Sequence, residues 1–140
     1  MAIIGYVEET DFEDYATARG ILLIDETSVL LTKALDWLEL QPFKGDKTDP
    51  EQILEFPRDG SSEIPDKIKT AQMVAALLYD SGEDLLGVIG AKVLREKVDV
   101  LEVQYSDKSS PFKQYQHLSL LLKDYLIQPS GTFNFNVIKV

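Results

Sequence analysis

Apolar residues along the chain repeat with a helical period in four stretches. The clearest is Leu30, Leu31, Ala34, Leu35 and Leu38, at i, i+1, i+4, i+5 and i+8. This one-sided stripe predicts a core helix from Glu26 to about Leu40, with Asp25 as its N-cap. Before it, Thr10-Asp11-Phe12-Glu13 fits a capping box and predicts a short helix. Phe12, Tyr15 and Ala16 would lie on its inner face, and Gly20 would stop it. A third helix opens at Pro65, where Asp66 complements the dipole. Ile68, Ala71, Ala75, Leu78 and Tyr79 form its stripe, and it ends near Ser81-Gly82. Its small residues would let a neighbouring helix come close. A fourth runs from Pro111, capped by Ser110, to about Leu126, with Leu118, Leu121, Leu122 and Tyr125 facing inward.

Elsewhere the period shortens or breaks. Val93 to Val98 and Val100 to Tyr105 read as two strands, the second alternating Leu101, Val103 and Tyr105 with Glu102 and Gln104, so a hairpin turning near Asp99 is expected. The tail from Thr132 to Val140 alternates Phe133, Phe135 and Val137 with Asn134 and Asn136 and reads as another strand. It would pair with this chain's own hairpin in preference to a neighbouring subunit. Glu83 to Lys92 fits either a short helix or an apolar loop. From Gln41 to Glu63 the turn formers Pro42, Gly45, Asp49-Pro50, Pro57 and Asp59-Gly60 predict a long loop. Phe43, Ile53, Leu54 and Phe56 would pack it, and a helical turn at Pro50 to Leu54 would be capped by Asp49. The expected fold is mainly α (α+β): a four-helix core with a β-hairpin and a C-terminal strand, in one domain over residues 1–140. Trp37, beside the second helix's stripe, reads as core, with an interface anchor as the alternative.

Composition removes many kinds of chemistry. The 140 residues include no Cys and one His, which excludes disulfide scaffolds, thiolate metal sites and thiol nucleophiles and leaves no imidazole pair for a catalytic metal. A chain of this length buries roughly 68–70% of its unfolded surface and needs no such staple. Neither a signal peptide nor a run of roughly 20 apolar residues is visible, so a soluble protein without membrane partners is expected. No phosphate-binding loop occurs, and Gly82, Gly87 and Gly90 do not fit a dinucleotide fingerprint. His117 has no nucleophile or ligand at a useful spacing and reads as structural or solvent-facing. Acidic pairs such as Glu8/Glu9 and Glu83/Asp84 match no calcium loop; those around Asp11 suit a helix N-terminus. Neither catalytic nor metal nor cofactor residues are expected, which points to a binding or assembly module.

Net charge is −10 and unevenly spread: −7 over residues 1–40, −2 over 41–70, −3 over 71–105 and +2 over 106–140. The one candidate basic patch, Lys44, Lys47 and Arg58 with Lys67 and Lys69, is interleaved with Asp46, Asp49, Glu51, Asp59, Glu63 and Asp66. On this reading it is a solvated mixed-charge surface.

The order of elements carries a family resemblance. An acidic helix ends Ala18-Arg19-Gly20, and Ala34-Leu-Asp-Trp-Leu38 follows. Then come Phe43-Lys-Gly-Asp-Lys-Thr48, Gln52-Ile-Leu-Glu-Phe-Pro-Arg58, Glu63-Ile-Pro-Asp-Lys-Ile-Lys-Thr-Ala71, Arg95-Glu-Lys-Val98 and Leu101-Glu-Val-Gln-Tyr105. From about Tyr6 to Tyr125 this resembles tailed-phage and prophage proteins labelled DnaT-like single-stranded DNA-binding proteins. Those in turn look like head-tail connector (adaptor) proteins of phage necks. The resemblance implies a mostly helical protein with a hairpin. It further implies a structural virion protein of the neck, built in host cytoplasm as a homo-oligomeric ring, typically a dodecamer. Its partners would be the portal protein and tail or neck proteins, and genomic DNA would pass through its lumen without specific binding. Asp99 stands where relatives have glycine at the hairpin turn, and Gln128 to Val140 falls outside the resemblance.

Two functions therefore compete. As a connector, the chain would touch its neighbours through the loop carrying Lys44, Lys47 and Arg58 and through Phe133, Phe135 and Val137 of the tail, and its acidic surface would let DNA slide. As a single-stranded DNA-binding protein of phage replication, it would need a basic groove with stacking aromatics. Phe43, Phe56 and Arg58 near Lys44 and Lys47 are the candidates for that groove. For Arg58 an intramolecular ion pair is the alternative to any partner contact. The negative net charge favours the connector.

Overall fold

A computed structural model describes residues 3–104 and 111–128. The C-terminal strand, with Phe133, Phe135 and Val137, lies outside the described residues, as do Tyr105 and Ser110. Five helices are present: α1 (Glu9–Ala18), α2 (Thr27–Leu38), α3 (Asp66–Asp80), α4 (Ala91–Gln104) and α5 (Phe112–Leu122). Two short strands, β1 (Ile3–Ile4) and β2 (Val7–Glu8), form an antiparallel hairpin that pairs Ile3 with Glu8 and Ile4 with Val7. The fold is thus mainly helical with a small two-stranded hairpin.

α3 is the centre. Every residue from Ala71 to Leu78 is buried, and a helix buried all round belongs inside its layer. Ala71, Ala75 and Ala76 have no bulk to hold neighbours off, so α2 packs on one side and α5 on the other, and α4 packs outside α5. The polar residue in this run, Gln72, is fully satisfied. Its Oε1 accepts from Tyr6 N at 3.0 Å, and its Nε2 donates to Ile4 O at 2.9 Å and Leu31 O at 3.1 Å. One buried amide therefore fastens the N-terminal hairpin and α2 to the central helix.

Helix ends follow local chemistry. α1 and α3 stop as the sequence predicts, at Gly20 and Gly82, both with positive φ. Ile21 N donates to Ala16 O and Gly20 N to Thr17 O, while Glu83 N and Gly82 N do the same to Leu78 O and Tyr79 O. This is the paired closure that a left-handed residue allows. At the start of α1 the predicted box at Thr10 and Glu13 gives way to one two residues earlier, where Glu8 N donates to the Asp11 carboxylate at 3.1 Å. Glu13 accepts instead from Thr27 Oγ1. The N-cap position of α2 is Glu26 rather than Asp25, with no side-chain cap, and the Asp80 carboxylate at the end of α3 holds Ile24 N and Asp25 N just ahead of it. α5 starts one residue later than expected, and its last predicted turn, 123–125, leaves the helix.

The hairpin expected between Val93 and Tyr105 is a helix instead, α4. The reason is parity. Leu94 and Leu101 are buried and Val98 is half-buried against them; as a strand, 94 and 98 would face opposite to 101, whereas at helical spacing i, i+4 and i+7 share a face. Val100 and Val103, the β-branched residues behind the strand reading, are exposed. Asp99 therefore lies mid-helix, and no turn glycine is needed there. Glu83 to Gly90 is a loop leading into α4, and the expected helical turn at Pro50 is a simple turn, with Gln52 N bonded to Asp49 O and Glu51 N to the Asp49 carboxylate. No helix among the described residues is long and apolar enough to cross a membrane.

Candidate nucleic-acid interface

The long loop between α2 and α3 is ordered by its own chemistry. Phe43 and Phe56 are buried and meet edge to face, with ring centroids 4.8 Å apart, and Phe56 also meets Tyr6 at 6.1 Å and Tyr125 at 6.0 Å. Lys44 N donates to Tyr125 O, and Ile127 N donates to Pro42 O. The loop is thereby stitched to the segment leaving α5.

Arg58 spends all its donors inside this loop. Its Nε donates to Lys44 O at 3.0 Å, Nη1 to Glu55 O at 3.1 Å and the Glu55 carboxylate at 2.7 Å, and Nη2 to Phe43 O and Gly45 O. The side chain is 9% exposed. A guanidinium has five N–H groups in a fixed fork, and here each has an acceptor. The ion pair held open as the alternative for Arg58 is what the structure contains. Lys47 turns inward as well, donating to Gln52 O at 3.3 Å. Phe43 and Phe56 have no free ring face for a base. Of the three basic residues in this loop, Lys44 alone is exposed, and its backbone is held by Tyr125 O.

Beneath Phe56, a half-buried carboxyl ties three segments together. Glu39, just past α2, accepts from the Tyr6 hydroxyl and from Glu55 N at 2.8 Å, while Tyr6 Oη accepts from Phe56 N at 3.2 Å. Burial raises the Glu39 carboxyl above its ordinary 4.5, opposed by the hydrogen bonds from Tyr6 and Glu55 N. Burial and the facing Glu39 push the Tyr6 hydroxyl far up. A raised carboxyl value means that the folded state favours the protonated form. Its stabilising contribution is complete below about pH 4.5 and declines as pH rises through the folded value. Glu39→Gln is expected to remove that decline, so urea midpoints of wild type and variant should diverge between about pH 4 and 7 in the direction of a flatter variant profile. Identical slopes would show that Glu39 does not titrate differently on folding.

Lys44 stands between two clefts. The first, about 300 Å³, is lined by Lys44, Ser61, Glu63 and Tyr125 above Phe56 and Arg58. The second, about 470 Å³, runs between α4 and α5 and is lined by Lys44, Arg95, Ser119, Lys123 and Gln128, with Asp124 at the boundary of both. Lys44, Arg95 and Lys123 are exposed, and none forms an ion pair within the described residues. Half-buried Tyr125 presents the accessible aromatic surface beside them. The sequence does not group these cations, because Arg95 was placed on a hairpin. Packing α4 against α5 is what sets Arg95 beside Lys123. The +2 balance after residue 105 points to Lys123 alone, since Lys44 and Arg95 lie in segments of net negative charge.

These features define a helical protein with a small, unpaired basic cleft. A family described as "Putative DnaT-like ssDNA binding protein" matches residues 5–140, and the chain belongs to that family. The match includes the C-terminal segment from Gln128 that the sequence reading left outside. Comparison with curated proteins and with solved structures returns no match.

The family corrects the connector reading. Its description is of DNA binding, so the neck ring or dodecamer, the portal, tail and neck partners, the virion location and genomic DNA passing unbound are set aside. The reading held as the alternative, single-stranded DNA binding, is the one the family favours. Net charge misled because it sums over the whole molecule. Salt screens charges farther apart than about 8–10 Å under physiological conditions, so the total does not by itself decide against a local basic cleft.

Proposed function

We propose that the protein binds single-stranded DNA in the cleft between α4 and α5, with Lys44, Arg95 and Lys123 contacting phosphates, and that the strand continues past Lys44 to Tyr125, which lines the adjoining cleft and offers a surface on which a base stacks. The observation that carries this reading is the convergence of three unpaired cations on one cleft. They come from the loop, α4 and the end of α5, whose relative positions are set by the Lys44 N to Tyr125 O hydrogen bond and by α4–α5 packing. The family description supports the same partner. Phosphate contacts of this kind give affinity without base specificity, so a sequence-tolerant binder is expected.

The test is a fluorescence anisotropy titration of a labelled oligothymidylate. Three phosphate contacts predict a slope of log K against log salt of about −2, which weakens binding about 20-fold between 50 and 200 mM salt. Each of Lys44→Ala, Arg95→Ala and Lys123→Ala is expected to make the slope shallower by about 0.7, and Tyr125→Ala to cost about 1–3 kcal/mol if one base stacks on it. Undetectable binding at low salt, or a slope that all three substitutions leave untouched, sinks the proposal. Equal affinity for a duplex would shift it from single strands to DNA in general.

A further inference from the structure

A second cluster of positive side chains lies on the other flank of α5. Ser119, Leu120 and Lys123 line the cleft described above, whereas Lys113, Gln114 and His117 line a cleft of about 160 Å³. The two sets project about 120° apart around the helix at 3.6 residues per turn. Opposite Lys113 and His117 stands Arg19, at the C-cap of α1. Arg19 is held in place: its guanidinium lies 3.5 Å from the centre of the Tyr15 ring, and its Nη1 donates to Tyr15 O at 3.1 Å. α3 closes the floor with Val74 and Leu77 and contributes no charge.

Among the described residues no carboxylate lines this cleft. α5 itself contains no Asp or Glu, while each of α1 to α4 contains at least one. In a chain of net charge −10, a concave site with three basic side chains and no acid is a local reversal of sign. Arg19, Lys113 and His117 also lack any ion pair within the described residues. Burial first, and then the Arg19 charge, lower the His117 imidazole below its ordinary value, so cations on this site repel one another while it is empty of anions.

We propose that the cleft formed by Arg19, Lys113, Gln114 and His117 binds a phosphate group. Arg19 and Lys113 supply permanent charge, Gln114 an amide donor, and His117 a further N–H that becomes cationic as the anion arrives. The volume suits one phosphate rather than a nucleotide. A phosphodiester of a DNA strand and a free phosphate ion share this chemistry. The site stands whether or not the α4–α5 cleft binds DNA.

The sole histidine is its own reporter. The titration of the His117 Cε1–H signal is followed by NMR in the full chain, in inorganic phosphate and in chloride of equal ionic strength, so that screening of Arg19 is the same in both. Phosphate is expected to move the midpoint up by about one pH unit, because a nearby anion favours the imidazolium. By linkage this is roughly tenfold tighter binding to the charged ring than to the neutral one. Lys113→Ala and Arg19→Gln, both at exposed positions, should each reduce the phosphate response, and Arg19→Gln should also raise the starting midpoint. Repeating the titration with an oligothymidylate lacking terminal phosphate identifies the source: an upward move assigns the site to a DNA backbone, and a response to inorganic phosphate alone assigns it to the free ion. A midpoint indifferent to both probes overturns the proposal, as does a phosphate response that both variants leave intact.

Discussion

Arg58→Ala is expected to lower the unfolding free energy by about 1–3 kcal/mol, the usual cost of leaving partly buried hydrogen-bonding groups without their partner. The size follows from what is left behind. The carbonyls of Phe43, Lys44, Gly45 and Glu55 and the Glu55 carboxylate all lose a donor at once; water can reach the exposed Lys44 and Gly45 carbonyls, so the cost falls on the part-buried acceptors of Phe43 and Glu55. Arg58→Lys should recover little, because an ammonium has three donors on a single point and the loop needs a planar fork reaching five acceptors. Urea unfolding followed by the fluorescence of the sole tryptophan reads the change. A loss below about 0.5 kcal/mol would show that the aromatic cluster alone orders the loop. Because Lys44 is carried by this loop, DNA affinity should fall in the same variant even though Arg58 does not touch the proposed strand path.

Trp37→Ala is expected to cost more, about 3–5 kcal/mol, for a different reason. Trp37 is fully buried, and its Nε1 donates to Val88 O at 2.8 Å. Gln41, one turn on, donates to Trp37 O and accepts from Gly90 N. Together they fasten the loop ahead of α4 to the end of α2, so truncation leaves a cavity, an unpaired carbonyl and a loosened start to α4. Trp37→Phe retains most of the packing and should lose about 1–3 kcal/mol, the cost of the orphaned carbonyl. Chemical denaturation followed by far-UV circular dichroism separates the two variants, and hydrogen exchange should rise over residues 83–94 in both. A Phe variant as unstable as the Ala variant would place the effect in the hydrogen bond rather than in the ring.

The tail residues Phe133, Phe135 and Val137 fall outside the described residues, and the proposed DNA path relies on none of them. Lys47 and Arg58, candidate contacts in the sequence with an intramolecular ion pair as the even alternative for Arg58, both donate to backbone carbonyls of their own loop. What looked like a mixed-charge surface is in part a set of cations pointing inward at carbonyls. Spacing along the chain cannot distinguish these cases, since a loop's backbone carbonyls carry no sequence signature.

The sequence by itself determined the elements whose information is local. The stripes of α2 and α3 repeat at helical period, and Gly20 and Gly82 end their helices because a left-handed residue is needed to close the last carbonyls. Trp37, beside the α2 stripe, reads as core in preference to an interface anchor, and it is buried. Tertiary structure decided the rest. α4 is a helix because only that geometry turns Leu94, Val98 and Leu101 toward α5 together, a requirement that exists only once α5 is beside it. Both basic clefts have the same origin: Lys44, Arg95 and Lys123, and likewise Arg19 and His117, are far apart in sequence. Electrostatic potential depends on distance through space, so packing of the helices had to be known before these charges could be seen to act together.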